Sequence, residues 1–151
     1  MDCYDEWWLP RDMENMSYIF EYCDSYCKQL YDLEIDKNIF LNSFMCSNIR
    51  KEMETGHPTL LSQAGYDTVK KFVEVDCQKN IQQFKGSTQD AYPNQYYWVG
   101  MMYAYLHYET KKSSKELLQI LPLDTMLQMY YLGHEQSRET VYRHLQEQSI
   151  L

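Results

Sequence analysis

The chain contains few of the residues that interrupt a helix: 5 glycines and 4 prolines in 151 residues. An all-β fold would need many more turn residues between its strands. Hydrophobic residues make up 44% of the chain, the proportion of an ordinary globular domain, which argues against disorder. We therefore expect an all-α fold, in which residues 1–151 form a single compact multi-helix domain of about six to eight helices.

Long apolar runs are missing too. No window approaches the roughly 18 apolar residues that span a bilayer. The N-terminal MDCYDEWWLP lacks the basic flank and apolar run of a secretory signal. The 5 cysteines form an odd set without a repeated spacing, which is typical of reduced thiols rather than of a disulfide framework. These absences predict a cytoplasmic protein that does not associate with membranes.

The strong catalytic motifs are also absent: the chain has no GxSxG elbow, glycine-rich phosphate loop, HExxH or EF-hand loop. Its cysteines and 4 histidines lack CxxC or paired HxxxH spacing, so we expect no metal site. Cys23 and Cys27 lie one helical turn apart among apolar neighbours, where packing is the commoner role. His107 is expected to be a hydrogen-bonded core histidine. Neither a cofactor nor a catalytic residue is predicted, and an enzyme is disfavoured.

Positive charge is scarce in the first quarter of the chain. Residues 1–36 hold ten acids against Arg11 and Lys28, whereas residues 37–151 hold twelve charges of each sign. An acidic surface repels nucleic acid phosphates and anionic lipids and favours a basic protein partner. Residues 123–133 contain no Lys or Arg, which argues against reading DNA through a helix-turn-helix. The alternative is that these acids only keep a helix face solvated.

Apolar residues recur every three or four positions from Asp12 onward and predict a first helix, which Pro10 can open. The acids lie between the apolar positions of this helix. Glu14, Glu21 and Asp24 are therefore expected on its outward face.

Other helix boundaries follow from capping and breaking residues. The expected N-caps are Asp36, Ser113, Asp124 and Ser137. The helix after Asp36 should run through Met53 and stop at Gly56, whereas Ser113 should form a capping box with Glu116.

An internal loop is predicted over residues 85–93, KGSTQDAYP. The following NQYYWVGMMYAYLHYE is apolar or aromatic nearly all round, as expected of a central helix that is covered on most sides. Gly100 inside it costs about 1 kcal/mol in helix propensity relative to Ala, which indicates a close approach by a neighbouring backbone.

Aromatic residues make up 15% of the chain, so some of them are expected at the surface. Residues 1–10 are expected to form a short acidic arm that has little core of its own to bury Trp7 and Trp8. The expected partner is another protein with a basic surface, and whether the chain binds it as a homodimer is left open. The residues expected to bind the partner are Trp7, Trp8, Glu14, Glu21, Asp24, Tyr130 and Tyr131. The other interpretation of these aromatic residues is that they form a tyrosine-rich core, with their hydroxyls at its rim.

The segment from Arg138 to His144 offers an alternative function. Its spacing resembles the Arg-x(4–6)-His signature of the helical ribonuclease superfamily named HEPN. That resemblance implies a metal-independent ribonuclease in which Arg138 holds the phosphate and His144 transfers a proton. The Asn, Asp or His that commonly follows the arginine in that signature is replaced by Glu139 in this chain.

Two segments, FLNSFMCSNIRKEMETGHPTLLSQAGYDTVKKFVE (40–74) and NQYYWVGMMYAYLHYETKKSSKELLQILPL (94–123), carry a second resemblance. They are similar to a family of small bacterial proteins, some of them encoded near toxin–antitoxin-like genes. The resemblance covers about half of the chain and brings no catalytic residue. It implies a non-enzymatic accessory or antitoxin-like role, which agrees with a protein that binds another protein.

Overall fold

A computed structural model describes the backbone of residues 3–151 and the side chains of residues 8–151. The all-α prediction is confirmed, although these residues form nine α-helices, slightly more than expected. They are α1 (Cys3–Tyr31), α2 (Lys37–Met45), α3 (Asn48–Glu54), α4 (Pro58–Ser62), α5 (Gly65–Lys71), α6 (Gln95–Thr110), α7 (Ser114–Ile120), α8 (Leu123–Gly133) and α9 (Arg138–Glu147). A π-helical turn (Phe72–Asp76) continues α5, and a 3₁₀ turn (Ile81–Phe84) follows it.

Side-chain caps set most helix starts. Asp36 and Ser137 cap α2 and α9 as predicted, and Ser113 forms the predicted capping box with Glu116 on α7. The expected helix after Asp36 was wrong in its length. It breaks before α3, because the Ser47 hydroxyl accepts the Arg50 N–H and starts a new helix.

The start of the last but one helix also differs from expectation. Pro122, not Asp124, is the residue before α8, and Asp124 lies within the first turn of that helix. An acid in the first turn still interacts favourably with the helix dipole.

The N-terminal segment was predicted wrongly as an arm. Helix α1 begins at Cys3, so Pro10 lies inside it rather than at its start. Proline removes one backbone hydrogen bond, yet the helix continues through it. The residues on either side explain why, since Trp8 and Asp12 are both buried and bonded to α3.

Helix α6 is the centre of the core, and α1 packs along it. A Cβ atom on Gly100 would overlap the carbonyl of Met16 in α1, which confirms the predicted close approach of a backbone. Trp98 lies about 200° around α6 from Gly100 and packs against Gly133 and Tyr130 of α8. The α8 contact therefore lies across α6 from the α1 contact.

The longest helix, α1, is also the one with the most acids. Its 29 residues include Glu14, Glu21 and Asp24. Within the described part of the chain, no helix combines the length and the apolar character that crossing a bilayer requires.

We predict that Gly100→Ala destabilises the fold. The added methyl has no space beside the Met16 carbonyl, and overpacking of this kind costs about 1–3 kcal/mol. The matched control is Gly65→Ala in α5, where a Cβ would lie 3.4 Å from Ile19, an ordinary contact. Urea unfolding of the two variants measures the difference. Equal stability of the two variants would contradict the close packing of α1 and α6.

We also predict a loss of stability at alkaline pH. Burial raises the pKa of Tyr31 and of Tyr96 to about 12, from an ordinary value of 10.0. The contribution of these two protonated hydroxyls to stability is therefore fully present below pH 10. It is lost as the pH rises towards 12, because the unfolded chain releases these protons at a lower pH than the folded chain does. Measuring the melting temperature across this pH range tests whether stability falls as the pH rises.

Tyr31→Phe provides the control for this titration. The Tyr31 hydroxyl is buried without a hydrogen-bond partner among the described residues, so removing it breaks no bond. The variant should match the parent at pH 7 and lose less stability between pH 10 and 12. An alkaline loss identical to that of the parent would contradict the assignment to this group.

Candidate interaction surface around the 85–93 loop

A buried ion cluster fixes α1 against α3. Arg50 is fully buried, and its guanidinium donates two hydrogen bonds to the carboxylate of Asp12, at 2.6 and 3.0 Å. Its Nε donates to the Ser114 hydroxyl at 2.9 Å and lies 3.4 Å from Glu54. Glu54 in turn accepts the Ser114 N–H at 2.7 Å. One arginine therefore connects α1, α3 and α7.

The electrostatics of this cluster favour the charged arginine. Burial alone would lower the pKa of Arg50, but the carboxylates of Asp12 and Glu54 raise it above its ordinary value. His107 lies next to the cluster, with Nδ1 2.7 Å from the Lys112 carbonyl and 3.9 Å from Glu54. It is buried and hydrogen-bonded, as predicted.

Trp8 belongs to the core and not to an exposed surface. Its side chain is only 6% exposed, its Nε1 donates to the Met53 carbonyl at 3.2 Å, and its ring meets His107 edge-on. The expectation that Trp8 is available to a partner was therefore wrong. The side chain of Trp7 lies outside the described residues.

The outward face of α1 carries the predicted acids together with tyrosines. Glu14, Tyr18 and Tyr22 are exposed and recur every four residues, so they form one stripe along the helix. The rings of Tyr18 and Tyr22 stack with their centroids 6.1 Å apart. Glu21 and Asp24 flank the stripe and are half-buried.

Glu21 also has a structural role, because its carboxylate caps the first turn of α6. Asn94, before the first residue of α6, makes no side-chain cap, and Glu21 of α1 accepts the Tyr97 N–H at 3.1 Å instead. Lys37 donates to the Glu21 carbonyl at 2.7 Å, and its ammonium lies 4.0 Å from the centre of the Tyr96 ring. Sequence reasoning missed this arrangement, because α1, α2 and α6 supply one part each.

The 85–93 loop lies between two acidic concavities. One, with a volume of about 460 Å³, brings Glu21, Tyr22 and Asp24 of α1 next to Asp90 and Tyr92 of the loop. The other, of about 350 Å³, lies between the loop and α8; its lining includes Asp90, Asp124 and Tyr131. We call the lining of these two concavities the loop surface.

The loop surface is acidic overall. Its acids are Glu21, Asp24, Asp90 and Asp124, and among the side chains of residues 8–151 Lys37 is the one cation in either lining. The Lys37 side chain is buried and already bound to Glu21 and Tyr96, so it offers little charge to a ligand. The arrangement suits a cationic group of a partner.

The two tyrosines predicted on α8 have different roles. Tyr130 is half-buried: its hydroxyl donates to the Pro93 carbonyl at 3.1 Å, and its ring stacks on His134. Tyr131 is exposed, and its ring meets Tyr92 edge-on with the centroids 5.5 Å apart. Tyr130 therefore anchors the loop, whereas Tyr131 belongs to its accessible surface.

The alternative ribonuclease pair does not converge within one chain. Arg138 and His144 lie about 120° apart around α9, since they are six residues apart on a helix. The Arg138 guanidinium lies over the Tyr105 ring and 3.5 Å from Glu139. His144 lines a groove between α8 and α9 that does not include Arg138.

Within the described residues, no group of three or more His, Cys, Asp or Glu side chains is arranged to hold a metal ion. The chain matches no protein-family model, no curated protein and no solved structure. The family resemblance of residues 40–74 and 94–123 therefore stays a prediction.

We predict that Arg50→Met strongly destabilises the protein. It leaves Asp12 and Glu54 buried without their cation, and breaking such a pair costs about 3–5 kcal/mol. The control is Arg143→Met, because Arg143 is exposed and its 3.7 Å contact with Glu147 contributes less than about 1 kcal/mol. Chemical unfolding compares the two. A similar small loss for both variants would contradict the role of the cluster.

Proposed function

We propose that this protein is a non-enzymatic accessory that binds a basic surface of another protein through the loop surface. The observation that supports the proposal most is the meeting of four carboxylates and three exposed tyrosines around one loop. Catalysis has no part in this proposal.

The negative charge of the loop surface supports binding to a basic partner. The chain has a formal net charge of −8, and the acids of the loop surface come from α1, the loop and α8. Carboxylates grouped in a concave surface raise the local concentration of cations and speed the approach of a basic partner. They also disfavour nucleic acid, whose phosphates would be repelled.

The exposed aromatic rings of the loop surface also support a role in binding another protein. Tyr22, Tyr92 and Tyr131 are 43%, 61% and 45% exposed. A tyrosine offers a large apolar area with few rotatable bonds, so its immobilisation on binding costs little conformational entropy. Single exposed apolar residues are common on surfaces, but several next to one loop are typical of an interaction site.

A neutralising, antitoxin-like role follows from the same chemistry. A basic surface that binds nucleic acid can be covered by an acidic protein that competes with the phosphates. The resemblance of residues 40–74 and 94–123 to proteins encoded near toxin–antitoxin-like genes agrees with this role. The loop surface would then bind the basic region of the neutralised protein.

The test is a set of variants in a pull-down from the native host. Asp24→Asn and Asp90→Asn together change the net charge from −8 to −6, and Tyr22→Ser with Tyr92→Ser removes two rings. We expect each pair to reduce recovery of the specific partner at least about tenfold, because hot-spot truncations cost more than about 1 kcal/mol each. Recovery by the parent protein should fall as salt is raised from about 0.1 M to about 1 M.

The matched control neutralises two acids elsewhere. Glu52→Gln with Glu74→Gln also changes the net charge to −6, and both side chains are exposed outside the loop surface. An equal loss with this control would mean that net charge, and not the loop surface, attracts the partner. Cleavage of labelled RNA by purified protein, abolished by His144→Ala, would instead support the ribonuclease alternative.

A further inference from the structure

A second surface, between α8 and α9, is apolar instead of acidic. The groove there has a volume of about 360 Å³ and is lined by Leu121, Met129, Leu132, Val141, Leu145 and Ile150, among others. Leu132 stands at its edge with 76% of its side chain exposed. We call this the α8–α9 groove. A leucine exposed to that degree beside an apolar depression is typical of a surface that another molecule covers.

The described residues that line the groove include no Asp, Glu, Lys or Arg, and His144 is the one titratable side chain among them. The chain as a whole has a net charge of −8, so most of its acidic surface repels a second copy. The lining of the groove itself therefore brings no like charges together when two copies approach.

The polar residues of the lining can pair with themselves. Gln128, Gln136 and Gln148 line the groove and are exposed. A glutamine amide both donates and accepts hydrogen bonds, so it can bond to the same residue of another copy across a two-fold axis. Carboxylates or ammonium groups at these positions would repel their own copies.

The position of the groove keeps the acidic stripe of α1 away from a contact between two copies. Helix α8 packs on the side of α6 that holds Trp98, about 200° around the helix from the α1 contact at Gly100. The acidic stripe of α1 therefore lies across α6 from this surface. Apart from Gln128, no residue of the groove lines the loop surface.

We propose that a second copy of this chain covers the α8–α9 groove, with Leu132 of each copy inserted into the groove of the other. The same patch supplies both a protruding side chain and the depression that receives it, which is the requirement for a two-fold symmetric interface. Burial of Leu132 and of the groove residues supplies the favourable free energy. Apart from Gln128, the proposal stands on residues different from those of the loop surface.

The experiment is a measurement of molar mass by light scattering over a range of protein concentrations. We expect the parent protein to approach twice the 18.3 kDa of one chain. The Leu132→Glu variant should need a protein concentration at least about tenfold higher than the parent to form the dimer, because its carboxylate would be buried in the interface. Circular dichroism should be unchanged, since Leu132 makes little contact within its own chain.

The control is Val75→Glu, which adds the same charge at another exposed apolar side chain, on the π-helical turn. It should leave the dimer intact. A parent protein that stays at 18.3 kDa at every concentration overturns the proposal, as does a Leu132→Glu variant that dimerises like the parent. A monomer that loses a different, purified binding partner through Leu132→Glu would also overturn it, because another protein would then occupy the groove.

The two proposals fail separately. Asp24→Asn with Asp90→Asn should leave the dimer unchanged, since neither residue lines the groove. A dimer that persists while partner recovery is unaffected by the loop-surface variants contradicts only the proposed function. Loss of the dimer in the loop-surface variants would contradict the separation of the two surfaces.

Discussion

The fold depends on the contact between α1 and α6 at Gly100. Because a Cβ atom there would overlap the Met16 carbonyl, the two helices approach more closely than side chains between them would allow. This contact sets the rotation of α1 about its axis. The rotation in turn places Glu14, Tyr18 and Tyr22 in solvent while Met16, Ile19 and Phe20 are buried. The acidic tyrosine face is therefore a consequence of how α1 packs.

Two polar contacts hold α1 in the same register. Near its N-terminal end, Asp12 binds the buried Arg50, and further along, Glu21 caps the first turn of α6. A buried ion pair contributes less to stability than its Coulomb energy suggests, because both ions lose their hydration. What it does supply is specificity: a shift of α1 by one turn would leave Arg50 without Asp12. The apolar stripe alone would tolerate such a shift far better, since hydrophobic contacts are not directional.

Local patterns predicted much of the fold, and contacts distant in sequence account for the failures at the N-terminal segment and at the loop surface. The outward position of Glu14 and the caps at Asp36, Ser113 and Ser137 follow from neighbouring residues, so they could be predicted. The burial of Trp8 depends on Met53 and His107, which no periodicity in residues 1–31 indicates. One signal for the Arg50 cluster was present: Arg50 lies about 60° around a predicted helix from the apolar Met53. The loop surface could not be predicted from the sequence, because residues 21–24, 90–92 and 124–131 come together only in the folded chain.

The separation of acidic and apolar surfaces has a physical consequence for assembly. A single patch that was both acidic and apolar would attract basic partners but would also bring the acids of two copies together, so self-association and partner binding would compete. Here four acids surround the 85–93 loop, whereas the described residues that line the α8–α9 groove include no Asp, Glu, Lys or Arg. Charge repulsion falls off with distance and is screened beyond about 10 Å at ordinary salt. In the proposed dimer, the acids of α1 and of the 85–93 loop would therefore stay available to the proposed basic partner.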